Sequence, residues 1–112
     1  MGGSAKRFAR PMKVVFHVEA LRDLREAADW YAKESVQEEG ARLLQLVDEK
    51  VREIAAAPAS FPVDPKRPWA RRARILGWPY AVVFATRDDE TIVVLALAHG
   101  RRRPGYWARR RP

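Results

Sequence analysis

No cysteine occurs among the 112 residues. Disulfides, thiolate metal sites and cysteine nucleophiles are thereby excluded. Histidine occurs only as His17 and His99, far apart in sequence, and no cluster has the spacing of metal ligands. No metal or cofactor is expected. The six glycines are scattered, which removes a Gly-rich phosphate loop. Ser4, Ser35 and Ser60 are the only serines, and Ser35 suits a helix cap, so a hydrolase triad has no support. No apolar run approaches the roughly 20 residues that span a bilayer, and no place within a membrane is expected. Met1–Pro11 is basic but has no apolar stretch behind it, unlike a secretory signal. It reads as a flexible lead, with Met12 as an alternative start. A cytoplasmic protein is the resulting expectation.

Apolar residues make up 47% of the chain, enough for one core. Residues 13–112 read as a single domain, and residues 1–12 as its lead. The net charge of +8 is unevenly spread. Met1–Val63 holds 10 basic and 10 acidic residues, whereas Asp64–Pro112 holds 12 basic and 4 acidic ones. Eleven of those 12 bases are arginine, which suits bidentate contact with phosphate or carboxylate. A polyanionic partner is implied: nucleic acid, a membrane surface or an acidic protein.

Lys13–Glu19 alternates, with Val14, Phe16 and Val18 on one face, and predicts a strand. Ala20–Glu34 predicts a helix on the three-and-four spacing of Leu21, Leu24, Ala28 and Tyr31, with Trp30 beside them in the core. Asp23, Glu26 and Asp29 read as its wet face, neutralised by Arg22 and Arg25. Ser35–Glu38 has the form of a capping box and starts a second helix running to Ala57. Its expected apolar stripe is Leu44, Val47, Val51 and Ile54, and Pro58 stops it. The link between the helices is short enough to demand an antiparallel hairpin. Pro58, Pro62, Pro65 and Pro68 stiffen a loop whose aromatics, Phe61 and Trp69, need somewhere to pack. Arg71–Leu76, Tyr80–Thr86 and Thr91–Ala98 predict three strands, the last two apolar on both faces and therefore central. The order β-αα-βββ defines an α+β fold, a helical hairpin on one face of a small, mainly antiparallel sheet.

Chemistry concentrates after the last strand, in a basic segment over residues 99–112. His99, Arg101, Arg102, Arg103 and Tyr106 fall within eight residues. Cleavage of RNA by its own 2′-hydroxyl needs a base, an acid and a cation for the phosphorane charge, and His, Tyr and Arg can fill those roles. The same residues also fit a purely structural ending: a strand-end histidine, a solvated arginine face, and Tyr106 and Trp107 packing the tail on the core.

Leu21–Tyr31 with its Trp30-Tyr31 pair, Pro58 with Phe61-Pro62, Gly77-Trp78-Pro79-Tyr80 and the ending His99-Gly100-Arg101-Arg102-Arg103-Pro104-Gly105-Tyr106-Trp107 together resemble the RelE/ParE toxin superfamily. The resemblance covers about Val14–Arg110 and is strongest to the ParE, or plasmid stabilisation, branch. It implies the toxin of a type II toxin–antitoxin pair, with a small acidic antitoxin as partner. ParE-like toxins block DNA gyrase. RelE-like toxins cut mRNA in the ribosomal A site, and would use Arg101, Tyr106 and His99 as catalytic residues here. Arg74, Arg101, Arg102, Arg103 and Trp107 are the residues implied to meet target or phosphate. Many RelE-like members carry arginine where Ala81 stands, and sheet lysines are missing, so the gyrase-blocking reading comes first. The RelE-type nuclease is the alternative, and a non-toxic basic binding module the third reading.

Overall fold

The computed structural model describes residues 10–34 and 37–112. Residues 1–9 of the expected lead, and Ser35 and Val36 of the expected capping box, lie outside the described residues. Four strands and two helices follow the order β1 (Lys13–Phe16), α1 (Val18–Lys33), α2 (Gln37–Ala56), β2 (Arg71–Arg74), β3 (Tyr80–Thr86) and β4 (Thr91–His99). A single 3-10 turn, Pro58–Ser60, follows α2. This is the β-αα-βββ arrangement that the sequence predicts. The sheet order is β1-β4-β3-β2; β1 runs parallel to β4, and the other neighbours are antiparallel.

The first strand ends earlier than its alternation suggests. His17 leaves the strand and caps α1, its Nδ1 accepting the Glu19 N–H at 3.0 Å. A capping acceptor satisfies one of the free amides of the first turn, so the helix starts at Val18 rather than Ala20. The buried stripe of α1 is Ala20, Asp23 and Ala27, flanked by half-buried Leu24 and Tyr31. Leu21, expected inside, is 46% exposed, and Trp30 is 56% exposed. On α2, Leu43 takes the buried position and the expected Leu44 faces outward, with Val47 and Ile54 inside as predicted. Gly40 lets the helices touch: a Cβ there would stand 3.3 Å from the Ala28 carbonyl oxygen of α1. On the wet face of α2, Arg52 meets Asp48 at 2.6 Å, with both side chains exposed, and so adds little stability.

The helices cover one face of the sheet, over Ala73, Val82, Phe84, Ile92, Val94 and Leu97. Phe61, from the proline-rich loop, packs edge-on against Phe84, with ring centroids 5.9 Å apart. Val83, Ala85, Val93, Leu95 and Ala98 form a second cluster on the other face, closed by Trp107. A bulge makes the two faces compatible. Val83 pairs with Ala96 and Phe84 with Val94, leaving Leu95 as an extra residue on β4. Beyond it the alternation changes phase, which returns Leu97 to the helix side.

Candidate functional site

A groove of about 560 Å³ runs between α1 and the ends of β3 and β4. Glu26, Trp30 and Tyr31 line one wall, and Tyr80, His99 and Arg101 the other. Its aromatics are locked edge to face, Trp30 on Tyr31 at 4.9 Å and Tyr80 on His99 at 5.0 Å. Trp30 is therefore a wall of this groove and not the core residue that its spacing suggests. Spacing puts it one residue from the stripe, about 100° around the helix from Tyr31. Replacing Trp30 with alanine is expected to cost only about 1 kcal/mol, the scale of one lost aromatic edge contact. Thermal unfolding checks this; a cost near that of a deleted core aromatic would place the indole inside after all.

The candidate residues at the chain's end divide between two sides of the sheet. His99, Arg101 and Arg102 line the groove beside α1. The His99 Nδ1 accepts the Arg101 N–H at 2.9 Å, so that nitrogen is already occupied. Arg74 lies elsewhere, in a hollow of about 460 Å³ with Arg72, Ala81 and Ala98. Arg74 pairs with Ala81 across β2 and β3, so the hollow has a small side chain at its floor. Arg103 shares a third, smaller recess with Arg72. Trp107 is 3% exposed and packs edge-on to Trp69 at 5.7 Å. It is a core residue of the second face, which corrects its expected place on a target-binding surface: the ring is unavailable to a partner.

Tyr106 is tied down by a group the sequence reading placed on the wet face. Asp23 is 7% exposed. Its Oδ2 accepts the Tyr106 hydroxyl at 3.0 Å, Arg110 Nη1 at 2.8 Å and the Leu97 N–H at 3.2 Å. Arg110 reaches Oδ1 as well, at 3.3 Å, and also donates to the Leu95 carbonyl at 2.8 Å. The fold supplies the reason. β1 stops at Phe16, opposite Val94, and becomes a helix. The rest of that edge of β4 has no neighbouring strand, and its backbone groups still need partners. Asp23, Tyr106 and Arg110 provide them. Arg22, expected to neutralise Asp23, pairs instead with Glu19 at 3.1 Å.

The signal for this network was present in the sequence. Asp23 stands three residues after Ala20 and four before Ala27, on the apolar stripe itself. Arg110, the second member missed, lies in a segment without periodicity.

Burial first, and then the adjacent Asp23 carboxylate, push the Tyr106 phenol well above the usual tyrosine range. Burial and then Tyr31 raise Tyr80 as well. A phenol with a raised folded pKa adds stability that is complete below the unfolded value of about 10 and is lost as pH rises through the folded value. The protein is therefore expected to lose stability above pH 10, by less than the full slope of about 1.4 kcal/mol per pH unit, since solvent screens both part-exposed rings and Tyr80 the more. Phenolate absorbance between pH 9 and 12 should show Tyr80 and Tyr106 titrating late, with unfolding. Phenolates of Tyr80 and Tyr106 appearing near pH 10 in the folded protein would contradict this.

Among the described residues no group of three His, Asp or Glu side chains could hold a metal ion. No described helix is long and apolar enough to cross a membrane.

A helical hairpin thus covers one face of a β1-β4-β3-β2 sheet, and a basic segment follows the last strand. The sequence profile of the ParE toxin of type II toxin–antitoxin systems, parDE, matches residues 14–104. The chain belongs to this family, in agreement with the expected ParE branch. Two solved structures share the fold. The chromosomal ParDE toxin–antitoxin system from P. aeruginosa matches with a TM-score of 0.68 and 20% identity, over 79% of this chain and 95% of that one. The toxin–antitoxin complex RelBE2 from Mycobacterium tuberculosis matches with a TM-score of 0.59 and 24% identity, over 80% and 98%. No curated protein sequence matches the chain.

Proposed function

We propose that this protein is a toxin held in check by a small acidic antitoxin, and that it acts in the cytoplasm by blocking DNA gyrase without cutting RNA. The observation that carries the choice is the Tyr106 hydroxyl, which donates to Asp23 at 3.0 Å and whose proton is held more tightly than usual. A general acid must give its proton to the leaving oxygen, and this one is engaged in the fold. Arg74, moreover, lies in a different hollow from His99 and Arg101. What the chain's end does offer is exposed cation: among the described residues Arg101 and Arg103 make no ion pair.

The antitoxin reading rests on the groove beside α1. Exposed Trp30 with Tyr31 and Tyr80 offers apolar contact, and Arg101 stands at its rim. An acidic segment that folds on binding would bury its apolar side there, with charge raising the association rate. The nuclease alternative is supported by one feature, the placing of His99 and Arg101 in a single groove.

Two assays decide between them. Purified protein added to gyrase should stop negative supercoiling, and primer extension on translated mRNA should show intact message. Cleavage at A-site codons with gyrase untouched would overturn the proposal. Neither effect, with no growth arrest, would leave a basic binding module.

A further inference from the structure

We propose that Asp23 is a positioning residue, which from inside the molecule fixes where Arg101–Arg103 stand and so shapes the surface that meets the target. This rests on the reading that the arginines after β4 face that target.

The inference begins at the uncovered edge of β4. Three backbone groups there, the Leu95 carbonyl and the Leu97 N–H and carbonyl, bond to side chains instead of a strand. Asp23 connects all of them: it takes the Leu97 N–H itself, and it holds Tyr106 and Arg110, which reach the two carbonyls. The turn Gly100–Gly105 is thereby fastened at both ends, by β4 before it and by Tyr106 after it.

Arg102 sits within this turn and feels the network directly. Its guanidinium stacks over the Tyr106 ring at 3.8 Å and lies 3.9 Å from Asp23 Oδ1. Cation–ring stacking fixes the plane and position of a guanidinium, and Asp23 holds the ring itself through the Tyr106 hydroxyl. With Arg102 laid over that ring, Arg101 and Arg103 stand on either side of it in a fixed arch.

A merely structural Asp23 would be replaceable. A buried ion pair exchanged for a neutral pair of similar volume often leaves a protein as stable as before. The full chain carrying Asp23→Leu with Arg110→Met makes that exchange and removes the oxygen that holds the Tyr106 hydroxyl, and with it the ring under Arg102. Three measurements are needed: the melting temperature, the rate of trypsin cleavage within residues 101–111, and the concentration that half-inhibits gyrase.

The expected result is a melting temperature close to that of the wild type, cleavage at least tenfold faster and inhibition at least tenfold weaker. Wild-type cleavage and potency in the double variant would overturn the inference. Should that variant fail to fold, Tyr106→Phe gives the same test in milder form. It keeps the ring under Arg102 but deletes the hydroxyl that Asp23 holds. Cleavage about threefold faster supports the inference, and an unchanged rate overturns it. Trypsin cleavage needs no target, so it decides the role of Asp23 even where wild-type protein leaves gyrase untouched and the gyrase reading itself fails.

Discussion

Replacing Arg110 with alanine is expected to lower stability by about 3–5 kcal/mol, the cost of leaving a buried charge without its partner. Arg110 is 14% exposed along its side chain and contacts both oxygens of Asp23. Its removal strands a carboxylate that is only 5% exposed and frees the Leu95 carbonyl. The one remaining cation nearby, Arg102, stands 3.9 Å away and is half-exposed, too distant and too wet to compensate. Small domains have only about 5–15 kcal/mol in total, so the variant should unfold far earlier in urea and on heating. Arg109→Ala, one residue away on an exposed side chain, is the control and should change little. Lysine at position 110 should recover only part of the loss. A single ammonium cannot span two carboxylate oxygens and a carbonyl in the way a planar fork does. Equal melting temperatures for the alanine variants at 109 and 110 would show that the pair contributes nothing.

The second large effect should leave the fold alone. Arg101 and Arg103 are exposed and, among the described residues, make no ion pair. Changing both to glutamate should leave the melting temperature within about 0.5 kcal/mol of wild type in stability terms, as for other surface changes. If these arginines are the energetic centre of the target contact, inhibition of gyrase should weaken by at least 30-fold, the equivalent of one interface hot spot of about 2 kcal/mol. The loss should shrink as salt rises, because screening already weakens the wild-type contact. Full inhibition by the double variant would remove these residues from the target surface. Reversing Arg72 and Arg74 instead tests the separate hollow on the other side of the sheet.

The elements were legible because their signals are local. Two strands apolar on both faces had to be central, and β3 and β4 are. Helical spacing and Pro58 bounded the hairpin to within a residue or two. The errors have a common physical origin. Asp23 was judged by its sequence neighbours Arg22 and Arg25, whereas its partners Tyr106 and Arg110 are 83 and 87 residues away. A charge on an apolar stripe says that something distant must satisfy it, but not what. His17 continued an alternation and yet belonged to the next element, since a side chain that can cap a helix competes with the strand for its own backbone. Trp107 sits in a stretch with no period, so nothing local distinguished a buried indole from an exposed one. The parallel pairing of β1 with β4 was similarly invisible, because register between partners as remote as Lys13 and Thr91 leaves no mark on composition.

That pairing also bears on how the protein comes into being. A chain leaves the ribosome from its N-terminus, so β1 is made before the other three strands, yet its neighbour β4 is made after them. Lys13 must wait for Thr91. Until then the nascent chain has a helical hairpin with no central strand to cover, and the β3–β4 hairpin cannot close. Contacts between remote parts of a chain are the slow ones to form, because the loop between them must first be closed at an entropic cost. Arg110 comes later still, so the edge of β4 is sealed only after all four strands have been made. Such an order has a plain result: a fragment interrupted before β4 has neither a partner for β1 nor the strand that Asp23, Tyr106 and Arg110 close.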